Sequence, residues 1–286
     1  AIKEAIGKEQ PLNPLDAVNY ALTKMMHTES VIDASQLHGE TTKSFLGRFS
    51  SDEISKAINE HPQLVFIGDK VTTLEEIARE KTIIHEMKQG QGIYEPLASK
   101  SFLAEHSKYI QEKGLNLGQT LAVNTIASSK DLIVGVQGYA GTGKTYMLET
   151  VTKMIDEVSK LTDKPIKQYG FAPTGAAAKQ LAETGMQTNT IASLLIELDQ
   201  PKLSKDLKNN IWIIDESSMV NNHNILTLLN KAKEFSSRIV MVGDKQQLGA
   251  IEAGKPFSNL IKHGMQHSIM DDIQRQKDPI LLDAVY

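Results

Sequence analysis

The chain has 286 residues, 40% of them hydrophobic, a formal net charge of −4 at pH 7 and no cysteine. This length allows two domains with separate cores, whereas the missing cysteines exclude disulfides and thiolate metal sites. Because the sequence has no run of about 18 apolar residues and no basic excess, it excludes a membrane-spanning helix and a general electrostatic attraction to nucleic acid, and it predicts a cytoplasmic protein.

Residues 1–114 are predicted to form a small, mostly helical domain. Apolar residues at helical spacing predict one helix over about residues 14–26 and another over about 34–45. Ser50 and Glu53 have the spacing of a capping box, and they predict the start of a third helix.

The same region also carries the pattern of a short β-hairpin. The apolar residues 64–67 precede a Gly68-Asp69 turn, and the chain returns through residues 71–72 before a further helix that stops near Gly90. Helices with one small hairpin fit a winged-helix-like module as well as a plain helical packing domain, and the sequence leaves both open. The polar segment from residue 96 to 114 is predicted to be the connection to the second domain.

From residue 115 to 286, apolar strand patterns alternate with helical patterns. The strand patterns lie at residues 132–136, 167–172, 211–214 and 239–242. This alternation predicts an α/β fold in which helices cover both faces of a parallel sheet. Ligands of such sheets bind beyond the carboxyl ends of the strands, so the motifs that follow these four strands should converge at one edge.

The first of these strands leads into a phosphate-binding loop. Its pattern, Gly138-x-x-x-x-Gly143-Lys144-Thr145, stands between an apolar strand and a helical pattern, which is the order that phosphate binding requires. The glycines allow backbone N–H groups to point at a polyphosphate, Lys144 reaches the β- and γ-phosphates, and the Thr145 hydroxyl can ligate Mg²⁺. The predicted cofactors are ATP and Mg²⁺, and the predicted nucleotide-binding residues of the loop are Gly138, Gly141, Thr142, Gly143, Lys144 and Thr145.

Two acidic residues follow the third strand pattern. Asp215 is predicted to hold the metal, and Glu216 to orient or deprotonate the attacking water. Strands commonly end in charged residues, so the two acids alone do not indicate a site. Together with the phosphate loop, they indicate a nucleotide-binding site.

Three further polar residues have predicted roles in the same site. The amide of Gln247 is predicted to sense the nucleotide state, Arg275 to donate two hydrogen bonds to a phosphate, and Gln119 to read the adenine edge. The predicted catalytic residues are Lys144, Glu216, Gln247 and Arg275.

The ordered motifs resemble those of superfamily 1 DNA helicases of the RecD-like branch. The segments that carry the resemblance are 118–120, 138–145, 172–177, 190–193, 215–219, 243–248 and 274–276. The spelling Gly-Tyr-Ala-Gly-Thr-Gly-Lys-Thr, together with residues 252–257, most resembles the helicase part of conjugative relaxase-helicases. The resemblance is strong from residue 115 onward and weaker over residues 13–91.

This resemblance implies a RecA-like P-loop NTPase fold for residues 115–286 and a role as the motor domain of a 5′-to-3′ DNA helicase in conjugation. It also implies single-stranded DNA and the conjugative transfer machinery as partners. In the family, the segments that correspond to residues 173–175 and 190–193 lie along the single-stranded DNA. Their hydroxyls and backbone N–H groups suit contacts to phosphate. The implied DNA contacts are Pro173, Thr174, Gly175, Thr190 and Ser193. The same residue types are also ordinary helix caps.

The resemblance covers one RecA-like domain, so the second such domain, with its arginine finger, is expected to be missing. The full-length protein is then expected to be an ATP-dependent helicase, while this chain alone is expected to be inactive or very slow. One alternative is a decayed helicase copy that binds single strands without enzymatic activity, and the intact Lys144, Asp215 and Glu216 argue against it. The other alternative is a P-loop kinase or an unrelated ATPase, which the motif order after the phosphate loop disfavours.

Overall fold

The computed structural model describes residues 13–26, 29–162, 165–200, 207–244 and 255–271. These residues divide into two compact units, and the division lies between Lys81 and Thr82. Within the described ranges, every helix is too short or too polar to cross a lipid bilayer.

Before residue 74, the described residues of the first unit form helices and a small antiparallel sheet. Its elements are α1 (Pro14–Met26), β1 (Ile32–Asp33), α2 (Ala34–Ser44), α3 (Ser51–Asn59), β2 (Leu64–Ile67) and β3 (Lys70–Thr73). Strand β3 pairs antiparallel with both β1 and β2, which confirms the predicted hairpin. The first unit therefore holds a three-stranded antiparallel sheet beside its helices, and the winged-helix-like reading stays a prediction.

The chain continues through α4 and then alternates helices with strands. The elements are α4 (Leu74–Gln89), α5 (Lys100–Glu112), α6 (Leu117–Ser128), β4 (Ile133–Gly138), α7 (Lys144–Thr162), β5 (Gln168–Ala172), α8 (Gly175–Ala182), β6 (Gln187–Thr190), α9 (Ile191–Leu198), β7 (Ile211–Ile214), α10 (Asn222–Glu234), β8 (Arg238–Gly243), α11 (Pro256–Lys262) and β9 (His267–Met270). Six of these strands form one sheet in the order β6-β5-β7-β8-β4-β9, and all its pairs are parallel. The predicted RecA-like α/β fold is confirmed.

Two strands of this sheet were not predicted, and both lie at its edges. Strand β6 reads Gln-Thr-Asn-Thr and strand β9 reads His-Ser-Ile-Met. An edge strand has one neighbour and need not be apolar, so its sequence lacks the continuous hydrophobic run by which the four inner strands were recognised.

The inner strands are buried on both faces. Alternate residues of β7 show this, because Trp212 and Ile214 belong to one hydrophobic cluster and Ile211 and Ile213 to the other. Helices α9 and α10 pack on the first face and helices α6 and α7 on the second. Burying both faces of a strand fixes its register, since a one-residue shift would exchange the two sets of side chains.

The segment predicted as a connection contains a helix. Residues 100–112 form α5, whose Ile110 is buried in the same cluster as α6 and α7. The end of α4 also belongs to the second unit, because Ile83 and Met87 pack in the cluster that includes Leu132. The prediction that residues 96–114 are a plain connection was therefore wrong. A few apolar residues in a polar segment are enough to hold a helix against a large hydrophobic core. The domain boundary between 114 and 115 stays a prediction, and the compact units divide earlier.

Helix α3 offers a test of the local rules in the first unit. The Ser50 Oγ accepts from the Glu53 N–H at 3.2 Å, and the Ser50 N–H donates to Glu53 Oε2 at 2.8 Å. Replacing Ser50 with alanine should lower the free energy of unfolding by about 1 kcal/mol, because it removes the cap of the first turn. The control is Ser55→Ala in the middle of the same helix, which should change it by less than about 0.5 kcal/mol. Equal effects of the two substitutions in urea unfolding would contradict the capping argument.

Candidate nucleotide-binding site

The phosphate loop joins β4 to α7 at the carboxyl edge of the large sheet. Gly141 and Gly143 have positive φ angles of 83° and 79°, a conformation that residues with a Cβ rarely adopt. At Gly138, a Cβ would lie 3.0 Å from Lys144 Cγ and 3.1 Å from Thr142 Oγ1. The loop conformation therefore accounts for the glycine at each of these three positions.

Two side chains of the loop bond to its own backbone. The Lys144 Nζ donates to the Gly138 carbonyl at 3.0 Å, and the Thr142 Oγ1 donates to the Tyr139 carbonyl at 2.9 Å. Thr145 follows in the first turn of α7 with an exposed side chain. Because a charged phosphate oxygen is a stronger acceptor than a carbonyl, the Lys144 ammonium can exchange one for the other without leaving the loop.

A tight turn after β7 orients the two acidic residues. Glu216 has φ 49° and ψ 40°, which is the left-handed region, and its N–H donates to Asp215 Oδ1 at 2.9 Å. The Ser217 Oγ donates to the Ile214 carbonyl at 2.6 Å and stabilises the start of a short 3₁₀ turn. A left-handed glutamate is a strained conformation of the kind that folded proteins retain at functional turns.

The charges at this edge of the sheet influence one another. Burial raises the pKa of Asp215, although the hydrogen bond from the Glu216 N–H and the positive charge of Lys144 act against it. Burial likewise raises the pKa of Glu216, the negative charges of Asp215 and Asp244 add to this effect, and Lys144 opposes it. Lys144 therefore faces a cluster of carboxylates whose charged forms are penalised by burial.

The oxygen atoms at this edge fit a magnesium ion. The Asp215 carboxylate and the Thr145 hydroxyl are hard ligands of the type that Mg²⁺ prefers. In the part of the chain that the structure describes, there is no group of three or more His, Cys, Asp or Glu side chains that could hold a metal. Mg²⁺ does not require such a group, because it is usually held by one or two protein oxygens, substrate phosphates and water.

One oxygen of Glu216 is suited to binding a water molecule. Glu216 Oε2 is buried, and it has no hydrogen-bond partner among the described residues. A buried carboxylate oxygen is costly to leave unpaired, so this atom is expected to gain a donor when the site is filled.

Sequence reasoning missed two buried polar residues that belong to this edge. Gln137 lies near the end of β4 and Asp244 just after β8, with 1% and 4% of their surfaces exposed. The Gln137 Nε2 donates to Asp244 Oδ1 at 3.5 Å. A signal for Gln137 was present in the sequence, because it is a polar residue that directly follows the apolar run of β4.

Gly243 brings the end of β8 against the turn that carries Glu216. A Cβ at Gly243 would lie 3.1 Å from the Ser218 backbone nitrogen and 3.3 Å from that of Ser217. The two backbones are therefore in direct contact, and the position of the turn depends on the position of the strand end.

Gln119 lies beside the phosphate loop, at the start of α6. Its Nε2 donates to the Thr142 carbonyl at 3.0 Å, and its Oε1 accepts from the Asn116 N–H at 3.1 Å. The structure thus brings Gln119 to the predicted site, with its amide directed at the loop backbone.

The residues implied as DNA contacts lie at the same carboxyl edge, after β5 and β6. The Thr174 Oγ1 accepts from the Ala177 N–H at 3.2 Å and caps α8. The Thr190 Oγ1 accepts from the Ser193 N–H at 3.2 Å and caps α9. Gly175 is exposed, and no atom of the described residues would lie within 4 Å of a Cβ placed there. Pro173 directly precedes this cap.

Two predicted catalytic residues fall outside the described residues. Gln247 lies within residues 245–254 and Arg275 within residues 272–286. Their predicted roles as a nucleotide sensor and a phosphate donor stay predictions.

Comparison with known proteins identifies relatives of most of the chain. A family model described as an AAA domain matches residues 114–286. The multifunctional conjugation protein TraI of Escherichia coli is 31% identical over 211 residues, which cover 72% of this chain and 12% of TraI. The conjugal transfer protein TraA of Rhizobium radiobacter is 30% identical over 205 residues, which cover 71% of this chain and 17% of TraA.

A third relative is a subunit of the RecBCD enzyme. The RecD subunit of the RecBCD enzyme of Mycolicibacterium smegmatis is 29% identical over 175 residues, which cover 52% of this chain and 31% of RecD. The chain therefore spans only 12% to 31% of the length of the three relatives.

Proposed function

Since the chain belongs to the AAA domain family and carries the ATP-binding part of RecD-like superfamily 1 helicases, we propose that it binds and hydrolyses ATP as the motor unit of a 5′-to-3′ DNA helicase in conjugative DNA transfer. Its proposed partners are single-stranded DNA and the transfer machinery, and its proposed location is the cytoplasm. The observation that carries the proposal is the convergence of the phosphate loop, the Asp215-Glu216 turn and the end of β8 at one edge of the sheet.

In this proposal, the ATP phosphates occupy the loop between β4 and α7. The Lys144 ammonium exchanges the Gly138 carbonyl, 3.0 Å away, for phosphate oxygens. Thr145 and Asp215 would hold Mg²⁺, which neutralises charge on the β- and γ-phosphates when it is bound. Glu216 then holds the attacking water and accepts its proton, and the buried Oε2 supports this role.

The sequence-predicted sensor and phosphate donor complete the proposed site. Gln247 would hydrogen-bond the γ-phosphate and the water, and Arg275 would pair with phosphate oxygens. Both roles rest on the resemblance of their motifs to those of RecD-like helicases.

The proposed DNA path crosses the N-termini of α8 and α9. Two threonine caps, Thr174 and Thr190, stand after adjacent parallel strands, and each helix start presents backbone N–H groups with a positive dipole end. Such groups bind phosphates without reading the bases, which suits a motor that moves along any sequence. Gly175 leaves open space at the start of α8, because no described atom would lie within 4 Å of a Cβ placed there.

Nucleotide binding is tested at Lys144. Replacing Lys144 with alanine should weaken the binding of Mg²⁺-ATP by about 2 kcal/mol or more, because a charge-assisted contact to phosphate is lost. Titration calorimetry measures this difference. Lys153→Ala, on the exposed side of the same helix, is the matched control and should leave the affinity unchanged. Equal ATP affinity in the unaltered chain and the Lys144 variant would refute the proposed site.

The role of Glu216 is tested by separating turnover from affinity. In a protein that includes the second RecA-like domain, Glu216→Gln should reduce the rate of ATP hydrolysis by about a hundredfold or more, because the amide cannot accept the proton of the water. The affinity for Mg²⁺-ATP should change little, since Asp215 supplies the metal carboxylate. Glu149→Gln, at a partly exposed position of α7, is the control and should change neither quantity. A parallel loss of affinity would reassign Glu216 as a ligand, and DNA binding without any hydrolysis by the unaltered full-length protein would favour the non-enzymatic alternative.

The DNA path is tested by a substitution that keeps the helix cap. Aspartate caps helices as well as threonine does, so Thr190→Asp should preserve α9 and place a negative charge on the proposed phosphate path. The affinity for a labelled single-stranded oligonucleotide should fall by about tenfold or more at low salt, as fluorescence anisotropy would report. Thr190→Ser keeps both the cap and the neutral hydroxyl and is the control. Unchanged DNA affinity in the aspartate variant would remove Thr190 from the path.

A further inference from the structure

Gln119 is part of a reciprocal cap at the start of α6. The Asn116 Oδ1 accepts from the Gln119 N–H at 2.8 Å, and the Asn116 N–H donates to Gln119 Oε1 at 3.1 Å. This capping box fixes the side chain of Gln119 as well as the first turn of the helix.

The other end of the same amide reaches the phosphate loop. The Gln119 Nε2 donates to the Thr142 carbonyl at 3.0 Å, and only 3% of the Gln119 surface is exposed. Loss of this donor would leave the buried carbonyl without its partner, which is costly where water cannot replace it. A Cβ at Gly143 would lie 2.4 Å from Nε2, so the hydrogen bond also requires a glycine at that position.

The hydrogen bond determines how one peptide plane of the loop is oriented. The peptide between Thr142 and Gly143 is planar and trans, so its C=O and N–H groups point in opposite directions. Because Gln119 holds the carbonyl toward α6, the Gly143 N–H is turned away from α6. Backbone N–H groups presented in this way by a glycine-rich loop are the donors that surround a polyphosphate.

We propose that Gln119 is a positioning residue for the nucleotide phosphates: its amide holds the Thr142-Gly143 peptide in the orientation that presents the Gly143 N–H to a bound polyphosphate. The inference rests on the proposed function, because it assigns a role within that nucleotide site. It differs from the sequence-based prediction, in which the same amide reads the adenine edge. A glutamine that orders the loop acts on the triphosphate regardless of the base.

The experiment compares ATP with inorganic tripolyphosphate, which carries the phosphates and lacks the base. Gln119→Glu keeps an acceptor for the Asn116 N–H but has no donor for the Thr142 carbonyl, and Gln119→Met removes the donor without adding a charge. Calorimetry in the presence of Mg²⁺ should show that each variant binds ATP and tripolyphosphate about tenfold or more weakly, and by the same factor for both.

A matched variant separates loop order from helix stability. Asn116→Ala removes the cap acceptor of α6 and leaves the Gln119-Thr142 hydrogen bond, so it should lower the thermal midpoint while tripolyphosphate affinity stays within about twofold. The Gly143 amide signal in ¹⁵N–¹H NMR gives a direct readout: tripolyphosphate should shift it in the unaltered chain and in the Asn116 variant, and much less in the Gln119 variants.

The possible results distinguish the two roles. Loss of ATP affinity with unchanged tripolyphosphate affinity in the Gln119 variants would overturn the proposal in favour of adenine recognition. Unchanged affinity for both ligands would overturn it as well. If the unaltered chain binds neither ligand, the proposed function fails and this inference fails with it.

Discussion

The parallel pairing of β4, β8 and β7 is the constraint on which the candidate site depends. Gln137 of β4 lies opposite Gly243 of β8, and Ile214 of β7 lies opposite Met241. Because both faces of these strands are packed against helices, a register shift would expose hydrophobic side chains and is strongly disfavoured. The phosphate loop and the acidic turn begin where β4 and β7 end. The approach of Lys144 to the two carboxylates is therefore set by hydrophobic packing of the sheet, and not by contacts within the site.

This packing places carboxylates where burial works against their charge. For both Asp215 and Glu216, burial is the largest influence and raises the pKa, while Lys144 acts in the opposite direction. A divalent cation would act in the same direction as Lys144, whereas a polyphosphate alone would add negative charge to the cluster. The electrostatics therefore favour joint binding of metal and nucleotide over binding of the nucleotide alone.

The parts of the structure that could be predicted from the sequence are those in which an apolar strand is followed directly by a polar motif. Buried parallel strands read as apolar runs, and the motifs that follow them are read from residue type, so the fold and the position of the phosphate loop were predictable. The polar edge strand β6 lacks such a run. A sequence pattern also cannot predict a role that depends on the direction in which a side chain points. Gln119 was recognised as a site residue, yet its bond to the Thr142 carbonyl depends on the packing of α6 beside the loop.

The turn at Glu216 depends on a neighbour that carries no side chain. Its left-handed backbone, with φ 49°, is held by hydrogen bonds within the turn. At Gly243, the backbone at the end of β8 lies so close to the turn that a side chain would not fit between them. Packed interiors transmit displacement because they have few voids to absorb it. Movement of the end of β8 must therefore open this contact or carry the Glu216 turn with it. Three residues after Asp244 the chain reaches Gln247, the predicted nucleotide sensor. The strand end that precedes this residue is therefore in packed contact with the turn that carries Glu216.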